Sequence, residues 1–74
     1  MTRLPRLSGR EIVRALTKLG YEKDRQRGSH IVMRQVGYPH RRIVVPDHAE
    51  VSKGTLRALI REVGLTADEF DALL

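Results

Sequence analysis

Arg27-Gly28-Ser29-His30, with Ile31-Val32-Met33 directly behind it, is the stretch from which the fold of this chain can be worked out. The segment that leads into this stretch and ends at Arg27, residues 21–27, is almost wholly charged or polar, whereas Ile31-Val32-Met33 is apolar. Glycine adopts backbone conformations that are closed to other residues, so Gly28-Ser29 predicts a tight turn between two strands. The first strand is then exposed, and the second is well buried.

The remaining β-structure follows from the residues after this turn. The second strand is predicted to run from Ile31 to Gln35, and residues 36–40 form a turn-rich connection. The third strand covers residues 42–45 and is rich in β-branched side chains. It ends at Pro46, which lacks the N–H that a central ladder requires. Three consecutive short strands with tight connections predict an antiparallel meander.

Helices are predicted on both sides of these strands. The first begins at the capping box Ser8-Gly9-Arg10-Glu11 and runs from about Gly9 to Leu19, before Gly20. The second has Ser52 as its N-cap and ends at Gly64, and a short last helix opens with a second capping box at residues 66–69. The apolar residues expected to face the core are Ile12, Val13, Ala15, Leu16 and Leu19, then Leu56, Leu59, Ile60 and Val63, then Phe70, Leu73 and Leu74.

These elements predict an α+β fold: helix, three-stranded antiparallel sheet, helix and short C-terminal helix. Residues 1–74 are expected to form a single domain. Both long helices must cover the same face of the sheet, because only a two-layer arrangement buries both apolar stripes. The other face of the sheet, together with the turns, is left for a partner.

The charge distribution points to nucleic acid. The formal net charge is +5, but residues 1–61 carry +9 and residues 62–74 carry −4. Eleven of the 14 basic residues are arginine, whose planar guanidinium matches phosphate. A small basic domain of this kind typically binds nucleic acid. The alternative is a solvated basic surface that only keeps the protein in solution.

Other kinds of chemistry find little support. The chain has no cysteine, which excludes disulfides and cysteine-ligated metals and fits a reducing compartment. The three histidines lack metal-ligand spacing. Ser29 and His30 are adjacent and would point to opposite faces of a strand, which disfavours a nucleophilic triad. These observations predict no metal and no cofactor. No apolar run is long enough to span a bilayer and no signal peptide is recognisable, so we expect a cytoplasmic protein.

RNA cleavage without a metal requires fewer protein groups than a metal site or a nucleophilic triad, because the substrate carries its own nucleophile, the 2′-hydroxyl. The protein must supply a group for proton transfer and cations for the charge that builds on the phosphate. His30 is the candidate for proton transfer, since an imidazole titrates near neutral pH. Lys23, Arg25 and Arg27 are candidate RNA-binding cations that alternate onto one face of the first strand. Gly28 and Ser29 shape the turn beside them and offer RNA hydrogen bonds. The alternative is that His30 is a strand residue without chemistry.

The N-terminus of the second helix is another candidate contact with RNA. A helix N-terminus presents unpaired N–H groups and a partial positive charge to a phosphate. Ser52-Lys53-Gly54-Thr55 adds a hydroxyl and an ammonium group there, so Lys53 is a candidate RNA-binding residue. Ordinary capping of the helix explains the same residues equally well.

Six short motifs follow one another along residues 7–74. They are Ser8-Gly9-Arg10-Glu11, Leu19-Gly20-Tyr21, Arg27-Gly28-Ser29-His30, Val45-Pro46-Asp47-His48, Lys53-Gly54-Thr55-Leu56-Arg57, and Gly64-Leu65-Thr66 with Glu69-Phe70. This series resembles the HicA family of bacterial toxins. The resemblance implies a double-stranded-RNA-binding-domain-like fold and a ribosome-independent mRNA endonuclease (mRNA interferase) of a type II toxin–antitoxin system. It also implies inhibition by a HicB antitoxin that covers the site, and it makes His30 the family's active histidine.

The chain departs from the common family pattern directly after His30, where many members have a further histidine and an aromatic residue. This chain has Ile31-Val32-Met33 there. His48 is either a further site residue or a loop imidazole near the second helix, and His40 is expected to be a solvated turn residue.

Two alternatives from other classes stay open. One is a non-catalytic module that recognises the A-form shape of double-stranded RNA. The other is an interaction domain whose basic surface meets an acidic protein. We expect the free protein to be a monomer.

Overall fold

Helix α1 (Gly9–Lys18) begins at the predicted capping box. In the computed structural model, which describes residues 3–74, the Ser8 hydroxyl accepts a hydrogen bond from the Glu11 N–H at 3.1 Å. The Glu11 carboxylate accepts one from the Ser8 N–H at 3.0 Å. The bond from the Ser8 backbone, followed by that with the Ser8 side chain, lowers the pKa of Glu11. The helix ends at its C-cap Leu19, and Gly20 follows with a φ of 94°.

Three strands form one antiparallel sheet in the order β1-β2-β3, which confirms the meander. They are β1 (Tyr21–Arg27), β2 (His30–Gln35) and β3 (Arg42–Pro46). The polar segment β1 folds as a strand because its first residue, Tyr21, is buried in the core and because its backbone pairs with β2. Charged side chains on such an edge strand also discourage pairing with the sheet of another molecule.

A compact turn at residues 36–40 connects β2 to β3. The Tyr38–Pro39 peptide bond is cis, and His40 has a φ of 60°. The His40 N–H donates to the Gly37 carbonyl at 2.8 Å, and its ring nitrogen Nδ1 lies 3.2 Å from the Gln35 carbonyl oxygen. The imidazole is half-buried. His40 is therefore a turn residue, as predicted, but its side chain holds the turn instead of being fully solvated.

Two further helices complete the chain, α2 (Lys53–Glu62) and α3 (Ala67–Asp71). The Ser52 hydroxyl caps α2 by accepting a hydrogen bond from the Thr55 N–H at 3.3 Å. Thr66 and Glu69 form the capping box of α3, with bonds of 2.8 and 3.1 Å. Both helices begin where the sequence predicts. Within residues 3–74, no helix is long and apolar enough to cross a membrane.

One hydrophobic core joins the two long helices to a single face of the sheet, as predicted. The two-layer α+β arrangement is therefore confirmed. We call this face the inner face; its buried strand residues are Tyr21, Ile31, Met33, Ile43 and Val45. Leu73 is partly buried, but Leu19 and Leu74 are 36% and 47% exposed, so the prediction that these two residues face the core is wrong. The helical residues of the core are Ile12, Ala15, Leu16, Leu56, Leu59, Ile60 and Phe70.

Gly9 allows α1 to start directly against the end of β3. The Gly9 N–H donates to the His48 carbonyl at 2.9 Å. A Cβ added at Gly9 would overlap the Pro46 carbonyl oxygen and lie 3.0 Å from the Asp47 Cα. Only glycine therefore fits at this position without moving backbone atoms.

Candidate active site at the β1–β2 turn

Gly28 and Ser29 form the two-residue turn between β1 and β2. Gly28 has a φ of 57°, in the left-handed region that suits glycine. Arg27 and His30 are direct partners across the end of the ladder. Directly opposed residues of neighbouring strands have Cβ atoms about 5 Å apart and share a face of the sheet. The turn therefore holds the Arg27 side chain and the His30 imidazole side by side.

His30 lies on the face of the sheet that points away from the helices, which we call the outer face. Its strand neighbours are Arg27 in β1 and Pro46 in β3. The His30 side chain is exposed, and within residues 3–74 it makes no hydrogen bond. The imidazole is therefore open to contact by a molecule bound on the outer face.

The outer face also carries Arg25 next to His30 and Arg27. Arg25 pairs in register with Val32, which pairs with Val44. Neither Arg25 nor Arg27 makes an ion pair in the described part of the chain. Arg42, by contrast, is paired with Asp24, with Nε and Oδ2 3.2 Å apart. Next to His30, the outer face thus presents the guanidinium groups of Arg25 and Arg27, which make no ion pair within residues 3–74.

Lys23 does not lie on the outer face, so its predicted placement beside Arg25 and Arg27 is wrong. The register slips between Lys23 and Arg25: Lys23 pairs with the buried Met33, whereas Arg25 pairs with Val32. Asp24 is the extra residue of this bulge, and one extra residue reverses the alternation of side chains. The Lys23 ammonium instead donates to Gln26 Oε1 at 2.9 Å on the inner face, in a groove beside α1.

Lys53 is the first residue of α2, and no hydrogen bond or ion pair within residues 3–74 links its side chain to the turn. It is exposed, as are its neighbours Ser52 and Gly54. The Ser52 hydroxyl caps the helix. The structure therefore brings His30, Arg25, Arg27 and the turn together, and it leaves Lys53 on a separate element.

Asp47 contacts the turn from the end of β3, which sequence patterns did not indicate. The Asp47 N–H donates to the Ser29 carbonyl at 2.6 Å. Its carboxylate accepts hydrogen bonds from Arg10 Nε at 3.4 Å and from Gln26 Nε2 at 3.1 Å. The bond from Arg10 contributes most to lowering the pKa of Asp47. In the sequence, Asp47 directly follows the strand-ending Pro46 and lies in the motif Val45-Pro46-Asp47-His48.

A comparison with protein-family models decides the family. Residues 9–65 match the model described as the HicA toxin of bacterial toxin–antitoxin systems. The chain belongs to the HicA toxin family. Membership indicates the toxin half of a toxin–antitoxin pair and therefore a cognate antitoxin as its partner. Neither the curated proteins nor the solved structures searched gave a match to the chain.

The departure from the common HicA pattern after His30 falls mainly in the core. Ile31 and Met33 are 4% and 0% exposed, and both lie on the inner face under the helices. Only Val32, which is half-buried, lies on the outer face with His30. The apolar residues of this HicA chain therefore serve packing, and the outer face around His30 keeps its cations.

The last helix lies beyond the segment that matches the HicA model. It nevertheless contributes Phe70, which is 1% exposed, to the same core. The ammonium group of Lys18 on α1 also donates to the Leu73 carbonyl at 2.6 Å. Residues 66–74 are thus packed against the HicA-matched part of the chain.

Proposed function

We propose that this HicA family member is a metal-independent endoribonuclease that cuts mRNA at the outer face of its sheet. His30 transfers the proton, and Arg25 and Arg27 hold the phosphate at the cut. The observation that carries the proposal is the placement of an exposed, unbonded imidazole directly opposite Arg27, in a chain of a toxin family.

The reaction is an internal transesterification of the RNA. The 2′-oxygen bonds to the adjacent phosphorus, the bond from phosphorus to the 5′-oxygen breaks, and the proton of the 2′-hydroxyl ends on the departing 5′-oxygen. The products are a 2′,3′-cyclic phosphate and a 5′-hydroxyl. One imidazole that accepts or donates this proton supplies about 10²–10⁴-fold in rate. A guanidinium beside the phosphate stabilises the charge that grows there.

Arg25 and Arg27 suit this task better than the arginines nearby that are paired with a carboxylate. Arg10 and Arg42 each share their charge with a carboxylate, but Arg25 and Arg27 do not in the described residues. Arginine also offers phosphate two parallel N–H bonds. A contact between RNA and Lys53 at the N-terminus of α2 would extend this surface, and the Gly28-Ser29 turn lies at its edge.

A HicB-type antitoxin that covers His30 would then hold the toxin inactive. Exposure of the outer face leaves it available for such a partner. The free chain is proposed to act as a monomer, since the proposed groups all come from one copy.

The decisive experiment compares wild type with His30→Ala on a labelled single-stranded mRNA fragment, with EDTA present. Wild type should yield fragments that end in a 2′,3′-cyclic phosphate, and His30→Ala should lose at least 10²-fold in rate. Replacing the 2′-hydroxyl at the cut site by 2′-O-methyl should block wild type at that site. Induced expression should arrest growth for wild type only.

His48→Ala is the matched control, because His48 is also an exposed imidazole near the end of β3. A His48 that is only a loop imidazole should leave the wild-type cutting rate, whereas a slower rate would make His48 a further site residue; circular dichroism should give both variants the wild-type spectrum. If folded His30→Ala still cuts RNA at the wild-type rate, the role of His30 is wrong. If wild type binds RNA but never cuts it, the chain is a binding module.

A further inference from the structure

We propose that Asp47 is a positioning residue that holds the Gly28-Ser29 turn, and with it His30, in the geometry required for RNA cleavage. The inference rests on the proposed ribonuclease function. Asp47 has no place in RNA contact or proton transfer in this scheme. It acts on the turn from behind, through its backbone and through Gln26.

Both carbonyl groups of the turn are held by this arrangement, which we call the Asp47 brace. The Ser29 carbonyl accepts the Asp47 N–H at 2.6 Å. The Gly28 carbonyl accepts Gln26 Nε2 at 3.1 Å, and the same nitrogen donates to Asp47 Oδ2 at 3.1 Å. A side-chain amide nitrogen carries two hydrogens, so it can make both bonds at once. The turn therefore has no carbonyl free to swing outward.

Two further side chains anchor the brace, one on α1 and one on β1. Arg10 of α1 donates to the second carboxylate oxygen of Asp47 at 3.4 Å, and Lys23 of β1 donates to Gln26 Oε1 at 2.9 Å. The Asp47 side chain is only 20% exposed, although its partner Arg10 is 79% exposed. The carboxylate thus sits where α1, the turn and the end of β3 meet.

The position of the His30 imidazole depends on this turn, because His30 directly follows Ser29. A displacement of about 1 Å at a reacting group can cost on the order of 10²-fold in rate. Loss of the brace should therefore lower kcat more than it changes KM. A residue that only stabilised the fold would lower the melting temperature and leave kcat per folded molecule unchanged.

The test measures kcat and KM of Asp47→Ala and Gln26→Ala on an oligoribonucleotide that wild type cuts, well below the melting temperature. Both variants should lose at least tenfold in kcat, with KM within about twofold of wild type. The double variant should lose little more than Gln26→Ala alone, since the Asp47 side chain is linked to the turn through Gln26.

Asp24→Ala is the matched control. Asp24 also pairs with an arginine, Arg42 at 3.2 Å, and its removal changes the net charge by the same amount. It contacts neither residue of the turn, so it should keep the wild-type kcat.

Folded Asp47→Ala with a kcat within twofold of wild type would overturn the inference. If Asp47→Ala does not fold, Gln26→Ala decides alone, because it leaves the Arg10–Asp47 pair intact. If wild type cuts no RNA, the proposed function fails, and the brace is tested by NMR instead. Asp47→Ala should then shift or broaden the Gly28, Ser29 and His30 signals, and unchanged signals would refute the brace.

Discussion

Replacement of Gly9 by alanine is the sharpest test of how the first helix meets the sheet. Gly9 is the first residue of α1 and is buried against the end of β3. A Cβ here would overlap the Pro46 carbonyl oxygen and would lie 2.9 Å from the Pro46 carbonyl carbon. Because non-bonded carbon atoms pack at about 3.5–4.0 Å, the helix or the strand end must move by roughly 1 Å.

Two opposing terms set the size of the effect. Glycine in a helix costs up to about 1 kcal/mol relative to alanine, so helix propensity alone favours the substitution. Overpacking typically costs about 1–3 kcal/mol, and the upper end applies here because the obstructing atoms are backbone. We therefore expect Gly9→Ala to lower the free energy of unfolding by about 2 kcal/mol. For a domain of this size the melting temperature should fall by about 8–16 °C.

Gly54→Ala is the matched control, because Gly54 lies in the first turn of α2 and its added Cβ would meet no atom within 4 Å beyond its chain neighbours and the backbone of its own helix. The free energy of unfolding of this variant should equal that of wild type or exceed it by about 0.5–1 kcal/mol. Thermal and urea unfolding followed by circular dichroism measure both effects. A Gly9→Ala protein as stable as wild type would refute the close contact between α1 and β3.

Three further predictions follow from the faces of the sheet, the core and the lowered pKa of Asp47. Arg25→Ala should reduce the slope of log RNA affinity against log salt concentration by about 0.7. Lys23→Ala removes a cation on the inner face and should leave that slope unchanged. Equal slopes for the two variants would contradict the assigned faces. Phe70→Ala should cost about 3–5 kcal/mol of unfolding free energy in urea titrations, whereas the exposed Leu74→Ala should cost little. Because the pKa of Asp47 in the fold lies below its ordinary value of 3.8, its stabilisation is complete above that pH and is lost as the pH falls through the lower value. Asp47→Asn should therefore show a smaller drop in urea midpoint between pH 6 and 3 than wild type does.

Much of the fold could be predicted because its signals are local. The capping box at Ser8 and the cap at Ser52 each involve residues three positions apart, and the structure has both. The two-residue turn at Gly28-Ser29 is equally local. The polar strand β1 was the harder prediction, since its pairing with β2 and the burial of Tyr21 are what make it a strand.

The sequence by itself determined the order of helices and strands, the turn that carries His30, and the family to which the chain belongs. Only the tertiary structure decided which basic residues accompany His30. The bulge at Asp24 sends Lys23 to the inner face, and alternation along a strand cannot anticipate an inserted residue. The structure alone also brought Asp47 to Gln26, 21 positions earlier in the chain. That contact depends on the register of three strands and on the packing of α1 against the end of β3, and no local sequence pattern encodes either of them.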